Sequence, residues 1–178
     1  MPKKVILDLC AGSGAWSEPY KLAGYEVVRV DLPTDVRLLH FGEMPRPVHG
    51  ILMAPPCTAF SYARNRYPPT PEEFRAGLSV VDACLRAVAI HKPKWWALEN
   101  PRAKLRWFLG PPDWTFRHWQ YGDPAEKPTC LWGHFNAPMY RTGTRTKPST
   151  WKTRKQNAEP WDAVTPAGFA QAFFEANR

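Results

Sequence analysis

Apolar residues fall in short runs that stop at glycine, proline or acidic residues, and these runs alternate with stretches of helical spacing. Val5 to Leu9 is such a run, and it ends at Cys10-Ala-Gly-Ser-Gly14, which predicts a buried strand entering a turn. Trp16 to Ala23 predicts a helix closed by Gly24. Tyr25 to Val30 predicts a second strand ending at Asp31, and Gly50 to Met53 a third. Pro55 and Pro56 then lack the N–H groups a strand needs, so a loop must follow. Pro71 opens a long helix in which Phe74, Leu78, Val81, Leu85, Val88 and Ala89 recur every three or four residues as one buried stripe. Pro93 ends it, and Trp95 to Leu98 predicts a buried strand running into Glu99-Asn100-Pro101. Thr115 to Tyr121 and Thr129 to Gly133 predict a closing pair of strands. Asn136 to Trp161 predicts a long loop, and Pro166 to Ala176 a final helix with Phe169, Ala172 and Phe173 on one side. Strands alternating with helices predict an α/β fold, with a mostly parallel sheet and helices on both faces.

At 178 residues and 20.4 kDa the chain predicts one domain over residues 1–178, without an internal repeat or linker. A chain of this size buries roughly 70% of its unfolded surface. The apolar fraction of 44% and charged fraction of 22% exclude disorder as a description of the whole chain. No run of 18 apolar residues exists, so no membrane span is expected. The start of the chain does not read as a secretory signal, because Asp8 interrupts its apolar run. The formal charge is +8. Arg141, Arg145, Lys147, Lys152, Arg154 and Lys155 form a strip without an acid, and without them the net charge is +2. A concentrated strip points to a polyanionic partner, with a solvated loop as the alternative. Cysteines stand at 10, 57, 84 and 130 with no C-x-x-C spacing, so no metal site is expected. Free thiols predict a cytoplasmic location. One thiol reads as reactive and the others as small core residues.

Four unusual clusters end predicted strands: Asp8-Leu-Cys-Ala-Gly-Ser-Gly14, Asp31, Pro55-Pro-Cys57 and Glu99-Asn-Pro101. Open parallel sheets bind ligands beyond those ends. Gly12 and Gly14 let the backbone approach a ligand closely, and Asp31 follows Gly12 by 19 residues, the usual place for an acid that holds ribose hydroxyls. Ser17 stands where a third glycine would complete a dinucleotide pattern, which favours a smaller adenosine-type cofactor over a pyrophosphate. Cys57 follows two prolines on a loop and is a candidate nucleophile. Glu99 ends an apolar strand, which should raise its pKa and suit it to proton donation. An ion pair of Glu99 with Lys94 or Arg102 is the alternative.

In order and position, Asp8-Leu-Cys-Ala-Gly-Ser-Gly14, Ala54-Pro-Pro-Cys-Thr-Ala-Phe-Ser61 and Leu98-Glu-Asn-Pro101 resemble the motifs of the cytosine C5-methyltransferase family. The resemblance runs over residues 4–133 and more loosely over the last helix, where Thr165-Pro166 looks like a closing cofactor-side motif. It implies a Rossmann-like, S-adenosylmethionine-dependent methyltransferase fold. The implied reaction is methyl transfer to C5 of cytosine in DNA, leaving S-adenosylhomocysteine. By that resemblance Cys57 adds to C6 of the base, and Glu99 holds and protonates N3. Cofactor contacts are implied at Asp8, Cys10, Ala11, Gly12, Ser13, Gly14, Trp16 and Pro55, with Asp31 and Leu32 at the ribose and Asp35 and Val36 beside the adenine. Substrate contacts are implied at Pro56, Ser61 and Asn100.

The chain departs from the family at Lys127 and Thr129, which occupy the places of two substrate-holding arginines, and at Pro101, where valine is commoner. A basic region over residues 134–164, including Arg154 and Lys155 as candidate phosphate contacts, replaces a long target-recognition domain. Phosphate contacts carry no sequence, so weak specificity or a non-duplex substrate is expected. A free cytosine nucleotide or RNA stays open as substrate. So does an inactive cofactor- and nucleic-acid-binding module, or a partner subunit in place of a monomer. Of the nine tryptophans, Trp151 in the basic strip is the best base-stacking candidate. At least one of Trp95 and Trp96 is expected in the core, and Trp107, Trp114 and Trp119 read either way. The histidines receive no role.

Overall fold

The fold is described from a computed structural model, covering residues 3–123, 126–140 and 164–178. The basic strip, with Trp151, Arg154 and Lys155, lies outside the described residues. Ten elements follow in chain order. They are β1 (Val5–Leu9), α1 (Glu18–Leu22), β2 (Glu26–Val30), β3 (Val48–Met53), α2 (Pro71–His91), β4 (Trp95–Pro101), α3 (Arg106–Leu109), β5 (Trp114–Arg117), β6 (Pro128–His134) and α4 (Ala167–Ala176). Short 3-10 turns fill several connections.

The strands form one sheet in the order β2-β1-β3-β4-β6-β5. The first four are parallel, β6 runs antiparallel to β4, and β5 antiparallel to β6. β1 and β3 are buried along their whole length, as strands covered on both faces must be. One core half holds Leu7, Ile51, Phe60, Leu98 and the α2 residues Val81, Cys84 and Ala87. The other holds Ile6, Trp16, Tyr20, Trp95, Phe116, Leu131 and the α4 residues Phe169 and Phe173. Helices therefore lie on both faces, as the alternating pattern predicts.

Local chemistry explains most boundaries. Thr70 caps α2: its hydroxyl accepts from Glu73 N–H at 3.2 Å, and the Glu73 carboxylate accepts from Thr70 N–H at 2.8 Å. Pro71 occupies the first turn, where its missing N–H costs nothing. Gly50 fixes the approach of β3 to β4, because a Cβ there would overlap the Trp95 indole. Beyond shifts of one or two residues at strand ends, such as β3 starting at Val48, the differences from expectation are these. The first helix is only Glu18–Leu22, so Trp16 and Ser17 stay in the preceding turn. The strand expected over Thr115 to Tyr121 stops at Arg117, where the Gln120 side chain accepts from Arg117 N–H at 2.6 Å and a 3-10 turn begins. β4 continues through Glu99 to Pro101 because β6 pairs with it that far.

Candidate active site

The ends of β1, β2, β3 and β4 converge at one edge of the sheet, and each brings one of the sequence clusters. The turn after β1 is built on left-handed residues: Cys10 at φ 58°, Gly12 at 51° and Gly14 at 71°. Ala11 N–H donates to the Val30 carbonyl at 3.0 Å, which ties the turn to the end of β2. Arg29 holds it from the side. Its Nε donates to Ser17 Oγ at 2.9 Å, and its Nη2 donates to the Gly14 carbonyl at 2.9 Å and to Glu18 at 2.6 Å. The φ of Gly14 favours glycine, and a Cβ there would stand 2.5 Å from that guanidinium and push Arg29 aside. Asp8 is buried beneath the turn. Burial pushes its carboxyl up to about 6, against the Ser17 hydroxyl and Arg29, which pull it down. Its Oδ2 has no hydrogen-bond partner among the described residues.

Beside this turn lies a cavity of about 130 Å³ lined by Cys10, Asp31, Leu32, Asp35 and Val36, five of the positions expected to meet a cofactor. Pro56 of the loop after β3 closes one side, and Thr34, Arg37 and Val80 complete the wall. Leu32 stands on its rim, 83% exposed. Arg37 grips Asp35 through both carboxylate oxygens and holds that carboxyl down at about 2. Trp16 is 3% exposed and packs on Phe169 and Phe173, in the other core half from Val36 and Val80 of the cavity side. The apolar face of α4 draws its indole inward. Gly12 and Ser13 are exposed on the turn, while Ala11 is partly buried.

The loop after β3 turns tightly at Cys57, whose carbonyl accepts from Phe60 N–H and Ser61 N–H at 2.9 Å each. Asn100 Nδ2 donates to the Pro55 carbonyl at 2.8 Å and so ties this loop to β4. One residue earlier, Glu99 presents its carboxyl to the same space. Burial raises the Glu99 pKa, and Lys127 opposes the rise. Burial likewise raises the Cys57 thiol; Lys127 pulls it down and Glu99 pushes it up. The three side chains are therefore electrostatic neighbours, with Lys127 Nζ 3.9 Å from Glu99 Oε1. The partner of Glu99 is Lys127 rather than Lys94 or Arg102. Thr129 Oγ1 is buried beside them in sequence, on β6, with no partner among the described residues. Ser61 is half-buried within the same loop.

Sequence reasoning missed Arg29 and Arg37. Both sit in or after β2 without a motif around them, and only the folded turn shows what they hold. It also missed the contact between the Cys10 and Cys84 thiols, which lowers the pKa of Cys10. Among the described residues no group of His, Cys, Asp and Glu is placed to hold a metal ion. Among them, too, no helix is long and apolar enough to cross a membrane.

No protein-family model matches the chain, and no curated protein does. Solved structures do. One is described as a DNA modification methyltransferase encoded within an E. coli prophage. It is 18% identical, with TM-score 0.51 over 74% of this chain and 47% of that one. Another is the Entamoeba histolytica methyltransferase EhMeth, 11% identical, with TM-score 0.53 over 84% of this chain and 58% of that one. The chain thus spans about half the length of these neighbours. At such identities the likeness speaks for the fold. Together with the six-stranded, mostly parallel sheet covered by helices on both faces, it gives the chain the α/β, Rossmann-like fold of methyltransferases.

Proposed function

We propose that this chain transfers a methyl group from S-adenosylmethionine to C5 of cytosine in DNA through a covalent cysteine adduct. The observation that carries the reading is the meeting of Cys57 and Glu99. A loop after one strand and the end of the next bring a soft nucleophile and a protonatable carboxyl together, beside a cavity lined by Asp31 and Asp35. The likeness to a prophage protein described as a DNA modification methyltransferase supports the same reading.

The residues present fit the cofactor. Asp31 and Asp35 supply acceptors for ribose and adenine groups, Val36 and Val80 supply an apolar wall, and the orphaned Asp8 Oδ2 supplies a carboxylate for a cationic ligand. Bound there, S-adenosylmethionine brings an electrophilic methyl on a sulfonium. The chain does the rest. The Cys57 thiolate attacks C6 of cytosine, with the Lys127 ammonium stabilising the thiolate. Glu99, its pKa raised by burial, gives a proton to N3 and so keeps charge off the ring as the bond forms. C5 becomes nucleophilic and takes the methyl. The C5 proton then passes to water, the C5–C6 double bond re-forms as the Cys57 thiolate leaves, and N3 returns its proton to Glu99, which leaves 5-methylcytosine. A target inside a duplex must first be flipped out, at a cost of a few kcal/mol.

The test is methyl transfer from labelled S-adenosylmethionine to duplex DNA, single-stranded DNA, tRNA and dCMP in parallel, with Cys57→Ser as control. Label recovered as 5-methylcytosine in DNA, and absent from the control, supports the reading. Label only in dCMP or tRNA replaces the substrate. No label in any arm removes the reading.

A further inference from the structure

We propose that the corner formed by the loop after Cys57 and helix α3 is a docking surface for an unpaired DNA strand, with Trp107 as its base-stacking platform. This deepens the reading above, on which it rests for the identity of the polymer.

The corner is one packed unit. Phe60 of the loop, Phe74 of α2 and Phe108 of α3 have ring centroids 6.0 to 6.3 Å apart. Lys104 N–H donates to the Phe60 carbonyl at 3.0 Å. The same loop accepts two N–H bonds at the Cys57 carbonyl, so the corner adjoins the nucleophile. Aromatics stand out from this base: Trp107 is 64% exposed and Tyr67 70%, with Phe108 and Tyr62 also exposed. Large exposed aromatics are costly in water, and several of them on two segments joined through the Phe60–Phe108 contact mark an interaction surface.

The charge identifies the occupant. Elsewhere among the described residues Arg29, Arg37, Arg86 and Arg117 are engaged by carboxylates, whereas Arg46 and Arg178 are not. Among the described residues, Arg66 of the loop and Arg106 of α3 have no carboxylate within ion-pair distance; Arg66 instead lies over the Tyr67 ring at 5.8 Å. Of the two acids in residues 58–75, Glu73 is taken by Arg64 at 2.8 Å, and residues 102–109 contain none. Unpaired guanidiniums interleaved with exposed rings match a strand that offers both phosphates and open base faces. A duplex hides its base faces in the stack, so the rings select for unpaired DNA around the target cytosine.

The experiment is fluorescence anisotropy of a labelled single-stranded oligodeoxynucleotide and of its duplex form. The proteins are the wild type, Trp107→Ala, the double variant Arg66→Gln/Arg106→Gln, and Arg46→Gln as an unpaired arginine outside the corner. The single strand should bind more tightly than the duplex. Trp107→Ala should weaken it about tenfold, within the range of one stacked base. The double arginine variant should flatten the salt dependence by about 1.4 in the log–log slope, from two lost phosphates. Arg46→Gln should bind as the wild type does, and S-adenosylhomocysteine affinity and thermal melting should be unchanged throughout. Tighter binding of duplex, or Trp107→Ala binding within twofold of wild type, overturns the proposal. Strand binding with this pattern but without methyl transfer would leave the surface standing and remove the methyltransferase reading alone.

Discussion

In the proposed reaction Cys57 loses a proton and Glu99 keeps one, and a single ammonium acts on both. Lys127 lowers the pKa of each against the burial that raises it. Removing that charge in Lys127→Met therefore raises both, and the pH profile of kcat/KM moves to higher pH. An unmoved profile would separate Lys127 from the chemistry. Glu99→Gln keeps the shape but cannot deliver a proton, so kcat should fall by about 10² to 10⁴ with the fold intact by circular dichroism. Asp8, buried beneath the glycine turn, lies where the proposed cofactor would bring a positive charge, and Ser17 and Arg29 only partly offset its burial. Its carboxyl is raised to about 6, so it ionises late. Cofactor affinity should fall as pH drops through that value, because the protonated acid no longer attracts the sulfonium or amino group. In Asp8→Asn, calorimetric affinity should be weaker and flat across the same range. The same shift means that the folded state binds this proton more tightly than the unfolded one. The stability it contributes is full below the unfolded value of 3.8 and is lost as pH rises to about 6.

Helix α2 owes its clean start to the Thr70–Glu73 capping box, and Thr70→Ala should lower stability by about 1 kcal/mol in urea titration. α2 was legible in the sequence because its stripe repeats at helical spacing and its cap is local. The buried strands were legible for the same reason. The end of β5 was not, since Thr115 to Tyr121 keeps a strand-like composition and only the Gln120 cap turns it away. The packing of Trp16 was not legible either, because its partners Phe169 and Phe173 arrive from the last helix. The site divides likewise. Cys57, Glu99 and the glycine turn end strands and stand in recognisable motifs. The Glu99–Lys127 contact depends on the antiparallel pairing of β4 with β6, which sets Glu99 opposite Leu131, and no local spacing encodes it. Arg29 is similar: a charged residue in a strand gains its meaning only from the turn it grips. Arg29→Ala should loosen that turn and weaken S-adenosylhomocysteine binding while leaving α2 unaffected.

On the scale of the whole molecule, the sheet separates two core halves, and the site occupies the edge where both are anchored. Phe169 links α4 to β5 by stacking on Phe116 at 4.1 Å. Phe169→Ala should cost about 3–5 kcal/mol and lower the melting temperature. The central claim is that this scaffold brings Cys57 to C6 of a cytosine. The most direct measurement uses DNA carrying 5-fluorocytosine with S-adenosylmethionine. Fluorine at C5 cannot leave as a proton does, so the adduct cannot resolve after methyl transfer. The account predicts a protein–DNA complex that survives denaturation. Mass spectrometry should place the linkage, with the added methyl, at Cys57, and Cys57→Ser should form none. 5-Methylcytosine produced from ordinary DNA by Cys57→Ser, or a stable complex linked through another residue, would contradict it.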